Sequence, residues 1–219
     1  DYDGLNNEND YLFGGRSSTI FKADEQSLQE IYTTGNDFEV KTAAYLPNNF
    51  NCSNDDATID DRSGKKGPEA EAVTIGQIED KTFAFIGLER IGGIMVYDIT
   101  NPEKTEFVNY INSRDFSTDI GGDDSPEGIH FIAGNDSITG KPQLVVPYEV
   151  SGTVGVYDLT LQKNSDQSGD DKTDNPSQEP TVEETNNSSN TNTNNKNHSV
   201  NTGDASNIAI TIISLISTI

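Results

Sequence analysis

Between residues 1 and 160 the apolar positions fall in short runs rich in Val, Ile, Phe and Tyr, separated by clusters of Gly, Asn, Asp and Pro. Runs of that length bounded by turn formers predict strands, because β-branched and aromatic side chains suit a pleated surface and the intervening residues reverse the chain. Helix signals are nearly absent, and the pattern as a whole predicts an all-β fold.

The runs repeat. Phe85-Ile86-Gly87-Leu88-Glu89-Arg90-Ile91-Gly92-Gly93-Ile94-Met95-Val96-Tyr97-Asp98-Ile99-Thr100 aligns with Val145-Val146-Pro147-Tyr148-Glu149-Val150-Ser151-Gly152-Thr153-Val154-Gly155-Val156-Tyr157-Asp158-Leu159-Thr160 at a constant offset of 60. Upstream, Pro68-Glu69-Ala70-Glu71-Ala72-Val73 aligns with Pro126-Glu127-Gly128-Ile129, which places an insertion of two residues between the first two strands of the second copy. A third, poorer copy runs from Gly14 through Phe21 to Gln29-Glu30-Ile31-Tyr32. The middle copy predicts strands at 71–77, 82–89, 93–99 and 106–111.

Four-stranded repeats predict the blades of a β-propeller, here a partial one of about two to three blades over residues 1–160. A single blade cannot shield both of its faces, so Phe21, Tyr97 and Tyr157 are expected to pack between neighbouring blades. The last copy stops after its third strand at Thr160. Its outer strand is expected from the N-terminal end of the chain, and further blades of the same protein are expected before Asp1.

Beyond Thr160 the character changes. Residues 161–206 hold Asp170-Asp171, Glu183-Glu184 and Thr191-Asn192-Thr193-Asn194-Asn195 with scarcely an apolar side chain, which predicts a disordered, extended linker. Residues 207–219 end in an apolar run from Ile208 to Ile219, shorter than the roughly 20 residues that span a bilayer, and are expected to be a truncated anchoring segment.

Composition narrows the function classes. A formal net charge of −23 without a basic stripe opposes approach to a nucleic acid. Cys52 is the sole cysteine, so an intrachain disulfide and Cys-rich zinc sites are excluded. The chain opens on Asp1-Tyr2-Asp3-Gly4 with no secretory leader, as expected of a piece cut from a longer protein.

Seven short motifs carry a resemblance: Gly15-Arg16-Ser17, Gly35-Asn36-Asp37-Phe38-Glu39, Asp61-Arg62-Ser63, Lys66-Gly67-Pro68-Glu69, Phe85-Ile86-Gly87-Leu88-Glu89-Arg90, Tyr110-Ile111-Asn112-Ser113-Arg114-Asp115-Phe116 and Glu149-Val150-Ser151-Gly152. From Gly14 to Thr160 the chain resembles the bacterial choice-of-anchor I domain. The resemblance implies a secreted, propeller-like module, often fused to metallophosphatase or 5′-nucleotidase domains, with a variable C-terminal anchor. Asn201-Thr202-Gly203-Asp204 before the apolar run is similar to a degenerate sortase signal, with Thr202 and Gly203 as the anchor residues, although Ser199 and Val200 stand where Leu and Pro are expected.

Glu69, Glu71 and Glu127 begin the first strand of each copy, the strand that lines a propeller's channel, so their carboxylates are expected to converge as oxygen ligands for Ca²⁺ or another divalent cation such as Mg²⁺. The competing reading makes them caps of neighbouring loops. Asp123 and Asp124, with Asp119, precede Pro126-Glu127, as Asp55, Asp56, Asp60 and Asp61 precede Pro68-Glu69; both loops are oxygen-rich calcium candidates, although without the spacing of an EF-hand, and Asp123 and Asp124 are expected to join the glutamates as metal ligands. Glu89 and Glu149 end equivalent strands and read as acceptors that organise the glycine turns. Asp1-Tyr2-Asp3-Gly4 reads as turn chemistry. His130 has no second histidine at ligand spacing, and no nucleophile elbow, phosphate loop or metallophosphatase signature occurs.

No complete catalytic site is expected. The sequence therefore predicts a non-catalytic extracellular propeller module of the cell surface or cell wall, which binds a surface protein, glycan or wall component and is tethered to membrane or wall through its C-terminus. The alternative is an accessory part of a surface metallophosphatase or 5′-nucleotidase-type hydrolase with a divalent-metal site.

Overall fold

The computed structural model describes residues 15–163, 208–210 and 213–214. The linker expected over 161–206 lies largely outside the described residues, as do Thr202 and Gly203.

Two four-stranded antiparallel sheets form the core. The first has the sequential order β3 (Ala70–Ile78), β4 (Lys81–Leu88), β5 (Ile94–Asp98), β6 (Glu106–Ile111). These bounds agree closely with the four strands expected of the middle copy. In the second sheet, β7 (His130–Ile132), β8 (Gln143–Tyr148) and β9 (Thr153–Asp158) repeat the first three positions, and β12 (Ile213–Ser214) takes the fourth. Short turns set this topology. Glu79 adopts the left-handed backbone of a two-residue hairpin between β3 and β4, at φ 56°. Between β4 and β5, Gly93 at φ +86° approaches the carbonyl oxygen of Ile111 so closely that a Cβ would sit 2.5 Å from it, so only glycine fits.

The sheets stack face to face. Phe83, Phe85, Ile94 and Val96 of the first sheet meet Leu144, Val146, Tyr148 and Tyr157 of the second in one buried cluster. Phe85 stacks on Phe131 with ring centroids 6.0 Å apart. Gly76 makes this closeness possible, since a Cβ there would lie 2.3 Å from the Phe131 ring.

Strand pairing corrects the alignment of the first strands. Thr74 lies opposite Phe85 and His130 opposite Val145, so the offset in the first strand is 56 while that in the second is 60. The insertion is four residues, carried by the long β7–β8 loop, and Glu127 is equivalent to Glu71, with Ser125 in the place of Glu69. The backbone agrees: Glu69 and Ser125 both have positive φ, and their carbonyls accept from the amides of Glu89 and Glu149 respectively. The shared Pro-Glu pair had biased the sequence alignment by two residues, which preserves side-chain alternation and so left no conflict in the hydrophobic pattern.

Three further expectations change. The poorer first copy is a separate hairpin of β1 (Thr19–Ala23) and β2 (Leu28–Thr33), with Phe21 exposed. Gly35-Asn36-Asp37-Phe38-Glu39 opens α1 (Asp37–Tyr45), a helix short enough to leave little periodic signal. It buries Phe38 and Thr42, one turn apart, and its Asp37 and Glu39 complement the positive end of the helix. Phe38 lies against Tyr97, with ring centroids 6.1 Å apart. Tyr97 and Tyr157 therefore occupy equivalent faces with different covers: helix α1 shields Tyr97, and the first sheet shields Tyr157. Finally, the chain continues past Thr160 into β10 (Leu161–Lys163), which pairs with β11 (Ile208–Ile210), and the outer strand of the second sheet comes from the C-terminal side. A closed ring is not formed by the described residues.

Candidate acidic rim

The start of each sheet's innermost strand and the end of its second strand lie side by side, so each copy delivers two glutamates to one rim. From the first come Glu71, at a bulge in β3, and Glu89, just past β4; from the second come Glu127 and Glu149. Carboxylate oxygens of Glu69, Glu71 and Glu89 all lie within 4.8 Å of one another, and so do those of Glu89, Glu127 and Glu149. Glu89 belongs to both groups and joins the two copies.

The five glutamates are not equivalent. Glu69 is buried and already neutralised: Arg62 Nη2 lies 2.8 Å and Arg90 Nε 2.9 Å from its Oε2, and Lys66 pairs with its Oε1. Glu89 is 5% exposed. It accepts from Asn54 Nδ2 at 3.1 Å and lies 3.2 Å from Arg90 Nη2. Burial pushes its pKa up to about 7, helped by a hydrogen bond to Glu71 and by the charges of Glu71 and Glu127, against the pull of Arg90. Glu71, Glu127 and Glu149 are exposed. Glu89 thus sits in two triads of carboxylates, of which the one with Glu127 and Glu149 crosses between the sheets, and oxygens so placed could hold a hard cation, whereas Glu69 is committed to its three bases.

Beneath the rim the motifs scattered through the sequence meet. Arg16 Nη1 donates to Glu39 Oε1 at 2.5 Å and its Nη2 to the carbonyl of Lys65 at 3.0 Å. Asn51 Nδ2 donates to Glu39 at 2.8 Å and to Ser63 Oγ at 2.9 Å. Arg90 Nη1 donates to Asn54 Oδ1 at 2.6 Å, which in turn sets the amide that holds Glu89 and, at 3.0 Å, Ser125 Oγ. This network fixes the backbone that presents Glu69, Glu71 and Glu89.

The aspartates expected alongside the glutamates are engaged elsewhere. Asp124 is fully buried with Arg114, whose Nε lies 3.2 Å from its Oδ2. Burial raises the Asp124 carboxyl to about 6, opposed by the Arg114 charge. Arg114 also donates to the carbonyls of Ser53 at 2.8 Å and Arg90 at 2.9 Å. Asp123 accepts from Thr153 Oγ1 at 2.8 Å and from Ser113 Oγ at 2.8 Å. Asp119, Asp55, Asp60 and Asp61 are exposed and Asp56 half-buried, while Asp1 and Asp3 lie outside the described residues. His130 is exposed on β7. Cys52 is buried, and desolvation lifts its thiol to about 11, consistent with an inert core residue. Sequence reasoning had assigned Glu89 and Glu149 to turns. The signal that reveals them is their repetition at offset 60 combined with the pairing of β3 with β4, which sets each beside a first-strand glutamate.

Residues 1–102 match the family model of the choice-of-anchor I domain. Among curated proteins the chain is similar to Gigasin-3a of Magallana gigas, 29% identical over 168 residues, covering 68% of this chain and 57% of that protein. It is also similar to the mesenchyme-specific cell surface glycoprotein of Strongylocentrotus purpuratus, 23% identical over 106 residues, covering 43% of this chain and 14% of that protein. The chain thus spans less than two thirds of the length of either relative. No solved structure matches it. The segment that matches the choice-of-anchor I domain model contains Arg16, Glu39, Arg62, Glu69, Glu71, Glu89 and Arg90, the first sheet's half of the rim and the network that supports it.

Proposed function

We propose that the chain is an extracellular, surface-associated, non-catalytic binding module that engages a protein, glycan or wall ligand through its acidic rim, with a divalent cation, Ca²⁺ foremost, held by Glu71, Glu89, Glu127 and Glu149. The observation that carries this reading is the meeting of two glutamates from each of two stacked sheets at one edge, with Glu89 shared between the groups. The family match and the surface-glycoprotein relative support the location. Ca²⁺ favours six to eight oxygens in flexible geometry, so a rim of carboxylates leaves positions open for ligand oxygens, as cation-bridged recognition requires.

The exposed flanks support a place within a larger stack. Phe85, Ile94 and Val96 are fully covered by the second sheet, whereas their counterpart in the second sheet, Val154, is 51% exposed. On the far side of the first sheet Val73 and Ile75 are 64% and 61% exposed. Further sheets of the same protein are the partners these two faces fit.

Isothermal titration with CaCl₂ tests the reading. The wild-type chain is expected to bind Ca²⁺, and Glu127→Gln/Glu149→Gln, both exposed positions, to weaken binding by about tenfold or more through loss of half the charged donors. Equal heats in the two proteins, or none in either, would remove the cation from the account.

A further inference from the structure

In the first sheet β6 follows β5 directly and contributes Phe107, Val108, Tyr110 and Ile111 to the two buried clusters. The offset of 60 carries β6 onto Asp166-Gln167-Ser168-Gly169-Asp170-Asp171, which offers no apolar side chain for that position. The sequence of the second copy thus lacks its own outer strand, while β9 is built like β5 and presents the same edge. An unpaired inner edge is costly because its backbone groups lose their ladder partners, and it is a template for foreign strands.

The C-terminal run occupies that edge. Ile213 lies opposite Asp158 and Ser214 opposite Tyr157, antiparallel. In the first sheet Glu106 lies opposite Asp98 and Phe107 opposite Tyr97, also antiparallel. Position for position, β12 has the polarity and register of β6. Just upstream, β11 pairs with β10, with Gln162 opposite Ala209, and lies against β6 of the neighbouring sheet.

We propose that β11 (Ile208–Ile210) and β12 (Ile213–Ser214) form a strap, donated from the C-terminal side, that completes the second sheet and fastens its outer edge to that of the first. The apolar terminus, which the sequence alone suggested as an anchor, is by this reading a structural strand. The apolar run that starts at Ile208 is ample for a strand of about five or six residues. The proposal stands independently of the cation reading.

Cross-linking and hydrogen exchange on the full chain test it. Directly opposed antiparallel residues have Cα atoms ~4.5–5.5 Å apart, within disulfide reach. Gln162→Cys/Ala209→Cys is expected to oxidise to an intramolecular disulfide about tenfold more efficiently than Gln162→Cys/Asn195→Cys, whose second position is closer in sequence but outside the paired strands. In the unsubstituted chain the amides of Ile208–Ile210 and Ile213–Ser214 are expected to exchange about tenfold more slowly than in Ile213→Pro, since proline fits poorly within a paired strand. Equal cross-linking of the two pairs would overturn the proposal, as would full-rate exchange of these amides in water with protection only on phosphatidylglycerol–phosphatidylcholine vesicles.

Discussion

Glu89 and Asp124 are both carboxyls whose pKa burial raises, but their charged neighbours differ. Asp124 has one compensating partner in Arg114, and removing either side chain would strand the other charge, the change that costs about 3–5 kcal/mol in buried pairs. Glu89 suffers burial together with the like charges of Glu71 and Glu127. With a folded pKa of about 7 against an ordinary 4.5, it binds a proton in the folded state that the unfolded chain releases. Its contribution to stability is therefore present at and below the unfolded value and fades as pH rises through about 7. Glu89→Gln, which stays neutral, escapes that loss. In chelator-treated protein the stability of the variant relative to wild type is expected to improve between about pH 5 and about pH 8 by roughly 1–3 kcal/mol, as read by denaturant unfolding. A difference that does not change with pH would show that Glu89 is not crowded in this way.

At the scale of elements, stacking of the two sheets depends on Gly76 at the middle of β3, where the Phe131 ring takes the place of a side chain. Gly76→Ala is expected to displace Phe131 from Phe85 and to destabilise the chain by about 1–3 kcal/mol, measured by denaturant unfolding. An unchanged midpoint would mean that the sheets are not packed at this point. The strands of the first sheet were legible because alternation, glycine turns and a second copy all agree on them. Helix α1 was not, since nine residues that turn only Phe38, Thr42 and Tyr45 inward give too short a periodic run, and its stability comes from docking on Tyr97, Phe107 and Tyr110. The two-residue error in aligning Glu127 arose because Pro-Glu recurs by itself, while the true equivalence rests on ladder pairing and on the left-handed backbone shared by Glu69 and Ser125. Convergence of Glu71 and Glu127 could be anticipated from a strand lining an axis. The part played by Glu89 could not, because it depends on which strand ends lie beside one another across the stack. The neutralisation of Glu69 by Arg62, Lys66 and Arg90 likewise emerges only when three separate motifs fold together.

Across the whole molecule, one duplicated unit explains both the core and the rim. Two copies of a β-sheet bury aromatic faces against each other, and the same symmetry brings two glutamates from each copy to one edge. Val73, Ile75 and Val154 are exposed on the outer faces of the two sheets, where the proposal places further sheets of the same protein, and the proposed strap lies at the edge where the repeat runs out. The central claim is that the rim is a cation site built jointly by both copies. An anomalous difference map from crystals grown with Mn²⁺, a carboxylate-seeking divalent ion, tests it most directly. The account predicts a peak at about 2–2.6 Å from oxygens of Glu89 and of at least one of Glu127 and Glu149. A rim without a peak, with Glu89 still turned to Arg90 and Asn54, would contradict it.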